Sequence, residues 1–456
     1  MKKPLLVLLI AVSGCATTSP VLEPKLSPPA AWNETASGAA VTADWWKTFG
    51  SAELQALVGE ALAGSPDLAI AVERVRQAEA QVRVAGASLF PQLSVGVDSS
   101  ARSTRDGNSK RSSESSGTTL GASYELDLWG RNAAGVRGAE ASLRASAFDR
   151  DAARLTLIAG VASAYFEVLS LRGRLATARE NLSIAERVLA LVSARARSGA
   201  VSPLDVARQE AAVLSQRAAL LPLEQQERQT LAALAVLTGR LPEGFDVQAR
   251  GLADLAVPPI SAGLPADLLV RRPDLAVAEA QLTGANADLA AARATLLPSI
   301  QLTGSAGVAS SALLGFLGGP ATTVALAASV LQPIFDGGRL KAGVTIAESR
   351  ERELVEAYRK AILAAFADVE SALAAASRLA QREALLGQVQ ARAREALRLA
   401  EVRYREGADD LLSVLDAQRT AFDAEDQLAQ ARLARLDAAV SLYKALGGGW
   451  QQSAAG

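Results

Sequence analysis

Four short segments of this chain alternate apolar with small or polar residues, and they are embedded in stretches where apolar residues recur every three or four positions. In Thr119–Leu128 every even position is apolar and every odd one small or polar. Leu93–Asp98, Ile300–Thr303 continuing to Val308, and Val324–Val330 repeat the pattern. Two-faced strands are therefore predicted at about 92–102, 118–129, 299–309 and 322–333. Each has the roughly 9 to 11 residues of a tilted transmembrane strand, although a half-buried soluble sheet would alternate in the same way. Ser103–Gly117 has no apolar residue and predicts a polar loop in water.

The remaining chain reads as helix. No proline occurs from Gln92 to Ser202 or after Pro333, and Ala, Leu, Arg, Glu and Gln dominate. Asn132 to about Arg197 and Lys341 to about Glu406 would each give about 65 helical residues, or about 100 Å. Leu182, Ala185, Leu189 and Val192 recur at coiled-coil steps. Each long stretch ends in a turn signal. Ser202-Pro203-Leu204-Asp205 reads as an N-cap with proline at the first helical position, and Asp409-Asp410-Leu411 does similar work later. By residue type alone, Asp205, Asp409 and Asp410 are helix caps.

The chain is also written twice. Ser65-Pro66-Asp67-Leu68-Ala69-Ile70-Ala71 returns as Arg272-Pro273-Asp274-Leu275-Ala276-Val277-Ala278, and Leu89-Phe90-Pro91 as Leu296-Leu297-Pro298, both shifted by 207. Ser198-Gly199-Ala200 through Val206 is echoed by Glu406-Gly407-Ala408 through Val414, shifted by 208. Several motifs at one spacing mean two copies of one structural unit. The copies occupy 65–240 and 272–446, joined by a proline-bearing linker at 241–271 and flanked by an N-terminal segment at 15–64 and a tail at 447–456.

Composition narrows the function. Lys2 and Lys3 precede an apolar run from Leu5 to Val12 that is too short to span a membrane, which predicts a signal peptide over 1–14. Val12-Ser13-Gly14-Cys15 resembles the bacterial lipobox, so Cys15, the only cysteine, is expected to carry lipid as the mature N-terminus; the bland alternative is a small core cysteine. Ala16 follows it in place of the aspartate that holds many enterobacterial lipoproteins at the inner membrane. A second cysteine is missing, so no intrachain disulfide can form. Net charge is −1 without a long basic block, which excludes nucleic acid as a partner. Histidine is absent, which removes imidazole chemistry and the usual metal sites, so neither a metal nor an enzyme activity is expected.

These features together resemble the TolC-like outer-membrane factor family, and within it the lipidated channels of efflux systems of the resistance-nodulation-division (RND) class. The resemblance is carried by Asp44-Trp45-Trp46-Lys47-Thr48-Phe49 with Leu54 and Leu57, by Pro66-Asp67-Leu68 and by Arg271-Arg272-Pro273-Asp274-Leu275 with Ala278-Glu279. Leu296-Leu297-Pro298-Ser299-Ile300, Phe335-Asp336-Gly337-Gly338-Arg339, Leu415-Asp416-Ala417-Gln418-Arg419 and the ending Leu442–Trp450 complete it. It implies a mixed α and β membrane protein. Four strands per protomer would enter a trimeric, 12-stranded transmembrane β-barrel, continued by a long periplasmic α-helical barrel with an equatorial domain. Four strands cannot close a barrel, whose smallest form has about eight. A sparse aromatic girdle, with Phe90, Tyr124, Trp129, Phe316 and Phe335 as its candidates, is one departure.

The resemblance implies a passive duct in the outer membrane, held in its lipid, that forms a homotrimer. A periplasmic adaptor would join it to an inner-membrane RND-type transporter, and no cofactor beyond the lipid on Cys15 is needed. It places the gate at the periplasmic tip, on Leu412, Asp416 and Arg419. Gly199, Ser202, Leu204, Asp205, Gly407, Asp410 and Leu411 would form the tip that meets the adaptor. By spacing alone Leu412 would be coiled-coil core and Asp416 would pair with Arg419. Rival readings are a same-fold channel for polypeptide secretion and a non-conducting lipid-anchored spacer; a spacer has no use for four strands of transmembrane length.

Overall fold

A computed structural model describes residues 26–34, 38–107, 109–310 and 321–452. Cys15 and Phe316 lie outside them. In chain order the helices are α1 (Ala52–Gly64), α2 (Pro66–Ala87), α3 (Arg131–Arg197), α4 (Pro203–Leu237), α5 (Pro273–Ala294), α6 (Arg339–Arg405) and α7 (Leu411–Ala445). The strands are β1 (Gln92–Asp106), β2 (Ser109–Leu126), β3 (Ser299–Ser310) and β4 (Ala321–Leu331). The duplication is visible in element lengths. α2 and α5 have 22 residues each, α3 and α6 67 each, and α4 and α7 35 each.

The chain divides into two compact units, each drawing on both repeats. The first holds residues 74–147 and 277–359 among the described ones. Its centre is one antiparallel sheet in the order β1-β2-β3-β4. The register sets Leu93 opposite Ala122, Ala122 opposite Gly304 and Gly304 opposite Leu326; the next rung joins Val95, Leu120, Ala306 and Val324. One face is thus apolar across all four strands. The other carries Ser94, Gly96, Gly121, Ser123, Thr303, Ser305, Ala325 and Ala327. Among the described residues, the outer edges of β1 and β4 have no partner strand. An open edge and an exposed apolar face are what a barrel built from several copies would close and bury in lipid.

One expectation is corrected here. Ser103–Gly117 is not a loop: β1 and β2 continue as a paired ladder to Asp106↔Ser109. Side-chain polarity reports the surroundings of a segment, while the backbone pairs regardless, and Ser and Thr sit comfortably in strands whose faces are both wet. At the opposite ends, carboxylates start the long helices. Asp127 accepts the backbone N–H of Asn132 at 3.1 Å and Ala133 at 2.8 Å, and Asp336 those of Gly338 at 2.9 Å and Leu340 at 2.8 Å. Trp129, a girdle candidate, donates its indole N–H to Pro298 O at 2.6 Å.

The second unit holds 26–73, 148–276 and 360–452 among the described residues, and its core gathers motifs that lie far apart in sequence. Trp45 stacks on Tyr443 with centroids 4.8 Å apart, and Phe49 packs on Phe166 at 5.0 Å. Glu53 accepts the Tyr165 hydroxyl at 3.0 Å and the linker N–H of Ala249 at 3.1 Å; burial pushes the Tyr165 phenol up to about 12. Gly447, Gly448 and Gly449 have φ of 82°, 58° and 74°, and a Cβ there would meet Arg271 O, a Leu155 methyl and Thr42 C at 1.8, 2.3 and 2.2 Å. Only glycine fits such left-handed, crowded positions. Arg272 reaches Asp274 at 2.8 Å, Asp368 at 3.1 Å and Ala445 O at 3.2 Å.

Candidate gate and tip at the hairpin ends

α3 and α4, and likewise α6 and α7, are joined by tight turns of one design. Gly199 and Gly407 both have φ of 74°. Ala200 N–H closes on Arg195 O at 2.9 Å and Ala408 N–H on Arg403 O at 2.9 Å, which satisfies carbonyls that a helix end leaves open. The next helix starts on a cap. Ser202 Oγ accepts Asp205 N–H at 3.3 Å while the Asp205 carboxylate accepts Ser202 N–H at 3.1 Å, a reciprocal capping box. Asp410 accepts Ser413 N–H at 3.0 Å, and Asp409 accepts the Ser413 hydroxyl at 2.9 Å and Arg403 at 3.2 Å. The Ser413 hydroxyl, the Asp410 N–H and Arg403 hold the Asp409 carboxyl below its usual range.

Beneath the turns, Val188, Val192, Tyr404, Leu411 and Val414 form a buried cluster. Arg195 lies 4.7 Å above the Tyr404 ring and donates to Tyr404 O at 3.0 Å. Leu411, expected at the tip, is only 4% exposed and packs into this cluster. As the first residue of α7 it points inward, where the α3 and α6 ends need an apolar filler. Leu204 and Leu412, which match under the 208-residue shift, are 57% and 60% exposed.

Leu412 and Asp416 lie one turn apart on α7, with Arg419 one turn further. Asp416 accepts from Arg419 at 2.8 Å, and both side chains are mostly exposed. A pair of that kind is worth about 0–1 kcal/mol, too little to fix the helix. Leu412 lies outside the core, since its neighbour Leu411 takes the core place. A cavity of about 330 Å³ opens beside them, bordered by Ala212, Ser215 and Gln216 of α4 and by Leu412, Asp416 and Arg419 of α7.

Two amides escaped sequence reasoning. Gln209 is fully buried and donates to Ala185 O at 2.8 Å, and Gln418 is buried at the cavity wall. For Gln418 the signal is a polar residue within an otherwise apolar stripe, Leu411, Val414, Gln418, Ala421.

A profile of the family described as outer membrane efflux protein matches residues 57–240 and 264–448, one segment per repeat. The chain belongs to this family. As an outer membrane efflux protein it is 42% identical to the pyoverdine export outer membrane protein OpmQ of Pseudomonas aeruginosa, over 98% of this chain and 96% of that one. To the outer membrane protein OprJ of the same organism it is 35% identical over 99% and 98%. Among solved structures, the open-state MtrE outer membrane channel of Neisseria gonorrhoeae superposes with a TM-score of 0.86 at 33% identity, covering 95% of this chain and 98% of that one. A membrane protein from Pseudomonas aeruginosa gives 0.83 at 34%, over 93% and 99%. This efflux protein accordingly has the TolC-like channel fold, with four strands as one protomer's share of the trimeric barrel, and acts at the outer membrane as an efflux exit duct. The family is one of channels rather than enzymes.

Proposed function

We propose that this efflux protein is the lipid-anchored outer-membrane end of a tripartite pump, conducting small molecules passively and closing at its periplasmic tip through Leu412 and Asp416. Three copies set their α7 ends around one axis and stack an apolar ring of Leu412 beside an acidic ring of Asp416. What supports this reading is the arrangement at the start of α7: Leu412, 60% exposed, and the exposed Asp416–Arg419 pair lie one turn apart on the same face, outside the buried cluster that anchors the helix end. Gly199, Ser202, Leu204, Asp205, Gly407 and Asp410 form the tip that meets a periplasmic adaptor, which links the duct to a proton-driven RND-type transporter in the inner membrane. The duct has no catalytic step and no cofactor; its covalent lipid sits on Cys15.

The cargo is a small molecule rather than a polypeptide. Supporting this, relatives at 42% and 34% identity are named for pyoverdine export and toluene efflux. Purifying the native complex and identifying the proteins bound to it tests the partnership. An adaptor together with an RND-type transporter is expected; a secretion ATPase in the transporter's place would make the duct a polypeptide channel. Intact mass of the same preparation is expected to begin at an acylated Cys15, and a chain beginning elsewhere would contradict the anchor.

A further inference from the structure

β1 and β2 run on past the rest of the sheet. β3 follows β2 only as far as Ser116↔Ser310, whereas the β1–β2 ladder continues to Asp106↔Ser109. Among the described residues, 100–107 and 109–115 therefore form a two-stranded ribbon beyond the end of β3. α2 and α3 join these strands at the other end, so the ribbon points away from the periplasm.

Register fixes its two faces. Side chains alternate along a strand, so Arg105 lies on the face of Leu93, Val95 and Val97, the apolar face that meets lipid. Its direct partner is Lys110. Like charges directly opposite destabilise a strand pair, and an anion between them relieves that cost. Arg102, opposite Ser113, and Arg111, opposite Thr104, occupy the other face. Glu114, opposite Ala101, shares the lipid-side face but lies four residues below Lys110, about 13 Å along the strand. From Ala101, the last apolar position of β1 on that face, Arg105 is four residues on, about 13 Å along the strand and about 10 Å in height at the usual tilt. That level lies among the phosphorylated sugars of the outer leaflet's glycolipid.

We propose that Arg105 and Lys110 dock phosphate groups of the lipopolysaccharide surrounding the duct, fastening its mouth to the outer leaflet. The inference rests on the outer-membrane placement of the family and is independent of the adaptor and gate. The test measures binding of the detergent-purified, full-length protein to lipopolysaccharide, to enzymatically dephosphorylated lipopolysaccharide, and to inorganic phosphate as a competitor. Serine is already abundant on both strands, so Arg105→Ser with Lys110→Ser should leave the assembly intact by light scattering. This variant is expected to bind phosphorylated lipopolysaccharide about 30-fold more weakly. The wild type should bind the dephosphorylated form as weakly as the variant does, and Arg105→Lys alone should bind as the wild type. Arg102→Ser with Arg111→Ser, on the other face, should bind within about twofold of the wild type. Equal loss from both pairs, no loss from the Arg105 and Lys110 pair, undiminished binding of the dephosphorylated form, or full displacement by an equal concentration of inorganic phosphate would each overturn the proposal.

Discussion

The two repeats build helices of identical length and use them differently. α4 buries four residues, Gln209, Val213, Leu234 and Ala235, whereas α7 buries fourteen, from Leu411 to Ala445. α4 also carries Pro222 inside the helix, where its ring removes a backbone hydrogen bond; Gln430 holds the matching place in α7. At the tips, Pro203 and Arg208 of the first repeat stand where Leu411 and Asp416 stand in the second. Duplication supplied the scaffold, and substitutions at matched positions go with a more deeply buried second hairpin and with the acidic, apolar tip to which we assign the gate.

Changes that test the inequality should fall in a definite order. Leu411→Ala empties a place in the tip cluster and is expected to cost about 2–5 kcal/mol, read as lost hydrogen-exchange protection at the ends of α3 and α6. Leu412→Ala, one residue on, should change stability by no more than about 0.5 kcal/mol. Equal effects would erase the distinction between core and surface at this tip.

Asp437 is next. Burial in α7, with Glu167 adding repulsion, raises its carboxyl to about 6, although the Ser163 hydroxyl opposes the rise. The first repeat has the neutral Gln229 at this place. A carboxyl raised in the folded state favours folding when protonated, so the wild type should gain stability as pH falls from about 6 toward the ordinary 3.8. Asp437→Asn should flatten that dependence between pH 7 and pH 5 and stabilise the protein at pH 7 by about 1–3 kcal/mol. A melting midpoint with the wild-type pH dependence would contradict this. Smaller still are the caps: Ser202→Ala and Asp410→Ala should each cost about 1 kcal/mol, seen as faster exchange in the first turn of α4 or α7 alone.

Much of this was legible because long-period repetition and two-residue alternation are backbone-level signals that survive any tertiary context. Less legible was which of two adjacent leucines turns inward. Leu411 and Leu412 are identical in type, and the choice belongs to the packing of α3 and α6. In α3, Asn181, Ala185, Val188 and Val192 are buried where Leu182 and Leu189 had suggested the stripe, and those two leucines are half-buried beside it. Asn181 and the buried glutamines lie on inward faces that apolarity alone would not assign. The Ser-rich ribbon looked like a loop for the opposite reason, since nothing apolar marked its ladder. The motifs around Trp45, Arg272 and Gly447–Gly449 were visible as words, but their meeting in one core is a tertiary fact.

Single-channel conductance in a planar bilayer tests the unequal repeats most directly. The purified trimer carrying Leu412→Ala and Asp416→Ala is expected to conduct several-fold more than the wild type, and the matched first-repeat variant, Leu204→Ala with Arg208→Ala, to conduct as the wild type does. A rise of equal size in both variants, or none in a correctly assembled Leu412 and Asp416 variant, would contradict the assignment of the gate to the second repeat.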